Sequence, residues 1–152
     1  MRIAGRSTVR APRAAVYAAI CDPRALLEII PGCQEIRQVS DAEYRGRIVV
    51  RLPGIVGAYD TLVRMVEADP PAGGAFEGRV DGRAGGIEGR AAFRLTGNGA
   101  TTEIEYEGTG VVSGPLARLD SRFIEGLARS LVNEGLARLA GRLEAIAVEP
   151  AG

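Results

Sequence analysis

Apolar and polar residues alternate with a period of two over much of the chain between residues 44 and 108. This alternation is typical of antiparallel strands that bury one face and expose the other to water. The arginines and glutamates between the apolar positions predict a solvated face rather than a site. The predicted buried positions are Tyr44, Gly46, Ile48, Val50 and Leu52; Phe76, Gly78, Val80 and Gly82; Ile87, Gly89, Ala91, Phe93 and Leu95; and Thr102, Ile104, Tyr106 and Gly108.

Two short helices are predicted directly after a first strand over residues 3–10. Pro12 breaks that strand, and the segment RAAVYAAI follows as the first helix. Asp22 and Pro23 predict a restart, because an acid at the N-cap and a proline at the first helical position both favour helix initiation. The second helix, RALLEII, ends at Pro31.

A long amphipathic helix is predicted from Leu116 to about Ile146, where apolar residues recur at spacings of three, four and eight. At about 1.5 Å per residue, such a helix would be about 45 Å long. Gly135 lies on its apolar stripe, which predicts a kink or a close approach at that point. The stripe consists of Leu116, Leu119, Phe123, Leu127, Leu131, Leu139 and Leu143.

The order of elements is therefore a strand, two short helices, about six further strands and a long helix. One antiparallel sheet with one apolar face, covered by one amphipathic helix, makes a single-core α+β domain. No repeat or linker divides the chain. We predict one domain over residues 1–148, followed by a short tail over residues 149–152.

Glycine occupies several of the predicted buried positions, including Gly46, Gly78, Gly82 and Gly89. Two interpretations stay open. In the first, these glycines only let the sheet bend and the helix approach closely. In the second, a curved sheet that is short of side-chain volume leaves apolar space, and persistent apolar space usually holds a ligand.

Composition narrows the range of possible chemistry. The chain has 152 residues, of which 46% are hydrophobic and 25% charged, as in ordinary globular proteins. It contains no histidine, and all 19 basic residues are arginine. These absences remove histidine-based triads, the usual zinc sites and Schiff-base chemistry. Asp60 and Glu67 are the candidates for a lone base, but no catalytic motif is present, so we predict a protein that is not an enzyme.

Charge, hydropathy and cysteine usage bear on partners and location. The formal net charge is zero and the arginines are dispersed among glutamates, which argues against nucleic-acid binding. No window of about 18 uninterrupted apolar residues would span a membrane, and the first ten residues do not resemble a signal peptide. With only Cys21 and Cys33, two reduced thiols in a cytoplasmic protein are the simplest interpretation.

Three stretches of the chain resemble the CoxG family of carbon monoxide dehydrogenase subunits: DPRALLEIIPGCQEI, GRVDGRAGGIEGRAAFRL and TTEIEYEGTGVVSGPLARLDSRFIEG. They occur in the family's order, and the resemblance extends from Met1 to about Ile146. It implies the START-like helix-grip fold that polyketide cyclases share. In that fold a curved antiparallel sheet of six or seven strands grips a long C-terminal helix around an apolar cavity.

The resemblance also implies a role. Members of this family are typically encoded near molybdenum hydroxylases of the carbon monoxide dehydrogenase type, and are implicated in tethering that enzyme to the membrane and in handling a respiratory quinone. It therefore implies a bound quinone with no covalent cofactor, and a molybdenum hydroxylase as partner. Many relatives carry a variable C-terminal tail. Because the sequence ends soon after the predicted helix, we expect membrane contact to be at most peripheral, at the inner face.

Three functions are consistent with these features. The leading hypothesis is a non-catalytic carrier of a hydrophobic molecule, in particular a respiratory quinone. The second is a cyclase or dehydratase acting on a polyketide-like substrate, which predicts an inward acid or tyrosine with a shifted pKa. The third is an assembly or membrane-recruitment factor that binds a molybdenum hydroxylase and needs no ligand.

The candidate cavity lining combines the predicted inner strands with the helices that border them. Each aromatic residue in it is either cavity wall or ordinary core. The segment RLPGIVGAYD predicts a hairpin tip that is a simple turn or a gate over the cavity, and Cys33 is predicted to be an inert buried thiol. The candidate lining residues are Leu27, Ile30, Ile48, Val50, Tyr59, Val63, Met65, Phe76, Val80, Gly89, Phe93, Ile104, Tyr106, Phe123, Leu127 and Leu131.

Overall fold

A computed structural model describes residues 1–148, which form a seven-stranded antiparallel sheet and three α-helices. The predicted tail over residues 149–152 lies outside the described residues. The elements are β1 (Arg2–Val9), α1 (Arg13–Cys21), α2 (Pro23–Ile29), β2 (Cys33–Gln38), β3 (Glu43–Val50), β4 (Gly57–Asp69), β5 (Gly73–Gly82), β6 (Gly85–Gly97), β7 (Thr102–Ser113), a 3₁₀ helix (Gly114–Arg118) and α3 (Ser121–Val148).

The sheet order is β1-β7-β6-β5-β4-β3-β2, with every neighbouring pair antiparallel. Residues directly opposite each other in such a sheet share one face. Ile48 lies opposite Tyr59, and Phe93 lies opposite Tyr106. The predicted buried positions therefore fall on a single face, here called the inner face, which α3 covers. The α+β helix-grip architecture predicted from the sequence is confirmed.

The opposite face of the sheet, here called the outer face, carries rows of ion pairs. Arg90 contacts Glu67 at 2.9 Å, and Arg47 contacts Asp60 at 3.3 Å. All four side chains are well exposed, so each pair contributes less than about 1 kcal/mol to stability. The charged positions of the strands form a solvated surface, as their alternation predicts.

The two short helices begin and end where the sequence predicts. The Asp22 carboxylate accepts a hydrogen bond from the backbone N–H of Arg24 at 2.9 Å, and Pro23 occupies the first helical position. This cap satisfies one of the backbone donors that the first turn of α2 leaves without a partner.

The long helix begins later than the sequence predicts. Instead of continuing from Leu116, the chain forms the 3₁₀ helix and then becomes extended at Leu119, where φ is −74° and ψ is 154°. Helix α3 restarts at Ser121, and the Asp120 side chain accepts from the Arg122 N–H at 2.8 Å. The apolar spacing runs across this break, which is why periodicity alone does not reveal it.

Two separate hydrophobic clusters hold α3 against the rest of the domain. The C-terminal cluster joins the last part of α3 to α1, α2 and the strands β1, β6 and β7. The N-terminal cluster lies near the start of α3, beneath the β3–β4 loop and the 3₁₀ helix. The first consists mainly of Val9, Val16, Ile29, Leu95, Ile104, Leu139 and Leu143; the second is Ile55, Tyr59 and Leu116, with Leu119 and Leu127 packed on it.

Gly135 is the point at which α3 comes closest to the end of α2. A Cβ atom at this position would lie 3.4 Å from the carbonyl oxygen of Ile29 and 3.8 Å from Pro31. Further along the helix, Arg142 pairs with Glu28 of α2. The close approach predicted at Gly135 is therefore confirmed, and it fixes the position of α2 beside the long helix.

The C-terminal cluster should dominate the attachment of α3. Leu139 is only 2% exposed, so Leu139→Ala should lower the free energy of unfolding by about 2–5 kcal/mol. Leu27→Ala is the matched control, since Leu27 is 43% exposed and its truncation should cost less than about 1 kcal/mol. Urea denaturation measures both values. Equal losses for the two variants would contradict this division of the core.

Candidate functional site

An apolar cavity of about 600 Å³ lies between the inner face of the sheet and the helices α2 and α3. Its walls are strand residues from β1, β3, β6 and β7 on one side and helix residues on the other. Ala91 shows that this space is open: it lies on the inner face of a central strand, beneath the helix, and is still solvent-exposed. The residues that cover it from α3 include Leu131, Gly135, Leu136 and Leu139.

A second apolar space of about 180 Å³, here called the side chamber, adjoins the main cavity. The two spaces share the side chains of Ile48 and Val50 from β3 and Leu131 from α3. Beyond these residues the side chamber extends toward the N-terminal cluster. The inner space is thus divided, with the main cavity toward α2 and the side chamber toward the start of α3.

Most of the predicted lining residues border one or both of these spaces. They come from the four parts of the chain that the alternation and the helical stripe indicate: the end of α2, the inner face of β3–β5, the inner face of β6–β7, and the middle of α3. They are Ile30, Ile48, Val50, Tyr59, Val80, Phe93, Ile104, Tyr106, Leu127 and Leu131.

Three further candidates share the inner face but line neither space. Val63, Met65 and Phe76 lie where α1 crosses the sheet, and each is half-buried. The Tyr17 hydroxyl donates to the Met65 sulfur at 3.7 Å, and the Phe76 ring stacks on Phe93 with centroids 5.8 Å apart. These residues close the α1 end of the inner face as packed core.

Leu27 and Phe123 do not line the cavity, contrary to expectation. They are 43% and 48% exposed. In α2 the buried positions are Ala25 and Ile29, one turn apart, which places Leu27 on the opposite side. In α3 the late start of the helix puts Ile124, rather than Phe123, on the buried side.

Gly89 also lies outside the lining of both apolar spaces. It borders a depression on the outer face, together with Gly78 and Gly110. A Cβ atom on Gly89 would lie only 2.1 Å from the carbonyl oxygen of Thr109, so the backbones of β6 and β7 leave no room for any side chain. Gly89 serves close strand approach, which is the first of the two interpretations given to the glycines.

Other inner-face glycines have a different use, because aromatic rings from neighbouring strands lie over them. A Cβ atom on Gly5 would lie 2.6 Å from the hydroxyl of Tyr106, its cross-strand partner. One on Gly74 would lie 3.3 Å from the ring of Phe93, which is also directly opposite. The rings are accommodated because their partners have no side chain. These glycines determine where Tyr106 and Phe93 stand at the cavity wall.

Several wall residues were not among the candidates, and the most informative is Ile55. It lies in the predicted hairpin tip between β3 and β4, yet it is 6% exposed and borders the side chamber. The Tyr59 hydroxyl donates to the Ile55 carbonyl at 2.7 Å, which fastens the tip to β4. A lone isoleucine inside a proline- and glycine-rich turn was the available signal. Ile20, Pro31, Ile87 and Leu136 are further wall residues.

The polar groups near these spaces are few. Burial raises the pKa of Tyr59, so its hydroxyl stays protonated and neutral at ordinary pH. The Tyr106 hydroxyl lies 3.4 Å from the Asn133 side-chain oxygen at the surface of the main cavity. Arg51 and Glu134 are exposed and stand at its rim. The walls are otherwise hydrocarbon, apart from backbone groups.

The two thiols are half-buried and unpaired with each other. Burial raises the pKa of Cys21, and burial is also the main reason that the pKa of Cys33 is raised. A raised pKa keeps a thiol protonated and weakly nucleophilic. Within the described residues no group of three or more cysteine, histidine or acidic side chains could hold a metal ion.

The acids proposed as lone bases point away from the cavity. Asp60 and Glu67 lie on the outer face, where they pair with Arg47 and Arg90. A wider depression of about 970 Å³ is also found on that face, but it is an open groove among charged side chains such as Arg6, Arg94 and Glu105. It lacks the apolar enclosure of the space beneath α3.

Comparison with known families bears on what this cavity is for. The model of the family described as CoxG, a subunit of carbon monoxide dehydrogenase, matches residues 5–144. The chain belongs to the CoxG family. No curated protein matches the sequence. As a CoxG-family domain with a cavity between sheet and helix, the chain has the features of a hydrophobic-ligand-binding domain.

Solved structures share the fold of this CoxG-family chain at low sequence identity. A conserved protein from Geobacillus kaustophilus superposes with a TM-score of 0.91 at 19% identity, covering 95% of this chain and 96% of that one. A START superfamily protein from Mycobacterium smegmatis gives 0.76 at 11% identity, covering 95% and 98%. The di-domain ARO/CYC protein BexL of the BE-7585A biosynthetic pathway gives 0.73 at 17%, covering 98% and 48%.

The described helices include none that is long and apolar enough to cross a membrane. The similarity to START and cyclase-type structures concerns the fold alone. What the CoxG family and this fold have in common with the present geometry is the apolar space under the terminal helix.

The Tyr59–Ile55 bond should be visible in the pH dependence of stability. Because the pKa of Tyr59 is raised in the folded state above its usual 10.0, its contribution is complete below pH 10 and is lost as the pH rises further. Tyr59→Phe should cost about 1 kcal/mol at pH 7, since Ile55 loses its donor. The variant should then lose less stability than wild type between about pH 9 and pH 11. Parallel urea-denaturation curves over that range would contradict the assignment.

Proposed function

We propose that this CoxG-family chain is a non-catalytic carrier of a respiratory quinone, serving a molybdenum hydroxylase of the carbon monoxide dehydrogenase type. The observation that supports this most directly is the open apolar cavity of about 600 Å³ beneath α3. A volume of this size is ordinary for a small-molecule site. The protein would shield an apolar molecule from water and release it to its partner.

A quinone suits the distribution of polar groups. It combines a flat ring bearing two carbonyl oxygens with an apolar side chain. The main cavity offers hydrocarbon walls for the chain and ring, and the Tyr106 hydroxyl and the Arg51 side chain at its edge as donors for a carbonyl. Burying each CH₂ of such a ligand contributes about 0.8 kcal/mol, so few polar contacts are needed.

The carrier is favoured over the cyclase or dehydratase because of where the acids lie. An enzyme of that kind needs a group that moves a proton at the substrate. Asp60 and Glu67, the acids named as lone bases, face water on the outer side of the sheet and pair with arginines. The Tyr59 hydroxyl is engaged with the Ile55 carbonyl. The proposal therefore assigns no catalytic residue and no covalent cofactor.

The same features favour a carrier over a recruitment factor that needs no ligand, since an assembly role alone does not require an open cavity. The proposal places the protein in the cytoplasm, where its contact with the membrane is peripheral. Loading would take place at the membrane, where quinones reside, and unloading at the hydroxylase.

A cavity-filling variant tests the carrier. In Ala91→Leu the larger side chain projects from β6 into the main cavity, so it should weaken binding of decylubiquinone and of menaquinone-2 about tenfold or more. Ala137→Leu, on the exposed side of α3, should bind like wild type. Native mass spectrometry and fluorescence titration measure the complexes. Wild-type protein that takes up neither quinone, or equal affinity in all three proteins, would overturn the proposal.

A further inference from the structure

The side chamber differs chemically from the main cavity. Among the residues that line it, Tyr59 is the only one with a polar side chain, and its hydroxyl donates to the Ile55 carbonyl at 2.7 Å. The main cavity, by contrast, has Arg51, Tyr106 and Glu134 on its boundary. A molecule with one polar end and one apolar end would find partners for both, in one orientation only.

The side chamber is also unsuited to water. At about 180 Å³ it has room for roughly six molecules of that size. A buried water needs two to four polar partners, and the chamber wall offers almost none. Its walls are side chains such as Val80, Ile87, Ile124 and Leu127, which favour hydrocarbon. A ring with two carbonyl oxygens would be no better satisfied there than water.

The two spaces are neighbours along a line that a chain can follow. Ile48 and Val50 form the floor at their boundary and Leu131 forms the roof, and these three residues belong to both linings. Leu131 is half-buried and lies on the helix between the two hydrophobic clusters. A flexible hydrocarbon chain entering from the main cavity would pass under this one side chain.

We propose that the side chamber holds the end of the ligand's hydrocarbon chain and limits its length, while the polar head group stays in the main cavity near the rim. This deepens the proposed function and rests on it. The ligand class is a single-chain amphiphile with a head large enough to remain outside the chamber. Ala128 on α3, together with Ile124, marks the far wall that a fully inserted chain would reach.

A length series tests this proposal without assuming the head group. Wild-type protein is titrated with straight-chain primary alcohols from hexanol to tetradecanol, and in parallel with ubiquinones carrying one to four isoprene units. Affinity should rise about fourfold for each added methylene while the chain gains new apolar contact, and then level off. The chain length at which it levels off is the quantity compared among variants.

Two variants shorten the chamber by different amounts. Ala128→Leu adds three carbon atoms to the chamber wall and should move the levelling point about three methylenes earlier; Ala128→Val adds two and should move it about two. Short chains, which end in the main cavity, should bind within about twofold of wild type. Ala137→Leu is the matched control on the exposed side of the same helix and should leave the levelling point unchanged.

The outcomes separate this proposal from the carrier proposal. If quinones bind and the levelling point is the same in all variants, the side chamber is not the chain pocket, whereas the carrier stands. If alcohols show the shift but no quinone binds, the chamber assignment stands and the quinone fails. A uniform loss at every chain length, with an unchanged melting temperature, would also overturn the chamber assignment.

Discussion

The attachment of α3 at two places, with an open span between them, is the constraint on which the rest of the structure depends. The C-terminal cluster buries Leu139 and Leu143 against α1, α2 and the β1 side of the sheet, and the N-terminal cluster holds the helix start near Ile55 and Leu116. A continuous helix is stiff enough to bridge the distance without packing in the middle. Stability therefore resides at the ends, and the space under Leu131 is left available for a guest.

The sheet reaches the same compromise with glycine. At Gly5 and Gly74 the missing side chain makes room for the ring of a cross-strand aromatic, so Tyr106 and Phe93 lie over their neighbours. At Gly89 the glycine permits close approach of two strand backbones and contributes nothing to the cavity directly. Curvature and empty space are thus two results of one composition, and the two interpretations of the glycines apply to different residues.

Which face of each strand is buried could be predicted because alternation and antiparallel register follow the same period. Ile48, Phe93 and Ile104 are on the inner face for that reason. Helix positions were harder. The extended backbone at Leu119 resets the phase of α3, so Phe123 faces solvent, and a seven-residue helix such as α2 has too few turns to show which side Leu27 takes.

The role of Ile55 depends on a contact between a loop and a tyrosine four residues away, and no periodic pattern reports such a contact. The division of the inner space has the same origin. It results from where Leu131 stands relative to β3, which depends on how the two clusters place the helix. Sequence patterns indicate which residues face inward, but the volume they enclose is determined by packing at a distance.

The central claim is that the space between β3, β6 and the middle of α3 is empty of protein and apolar. Dry apolar cavities bind xenon, so diffraction from crystals pressurised with xenon measures this directly. The account predicts ordered xenon beside Ile48, Val50 and Leu131, or continuous density for a co-purified molecule in the same place. Crystals that show neither, with side chains packed across this region, would contradict it.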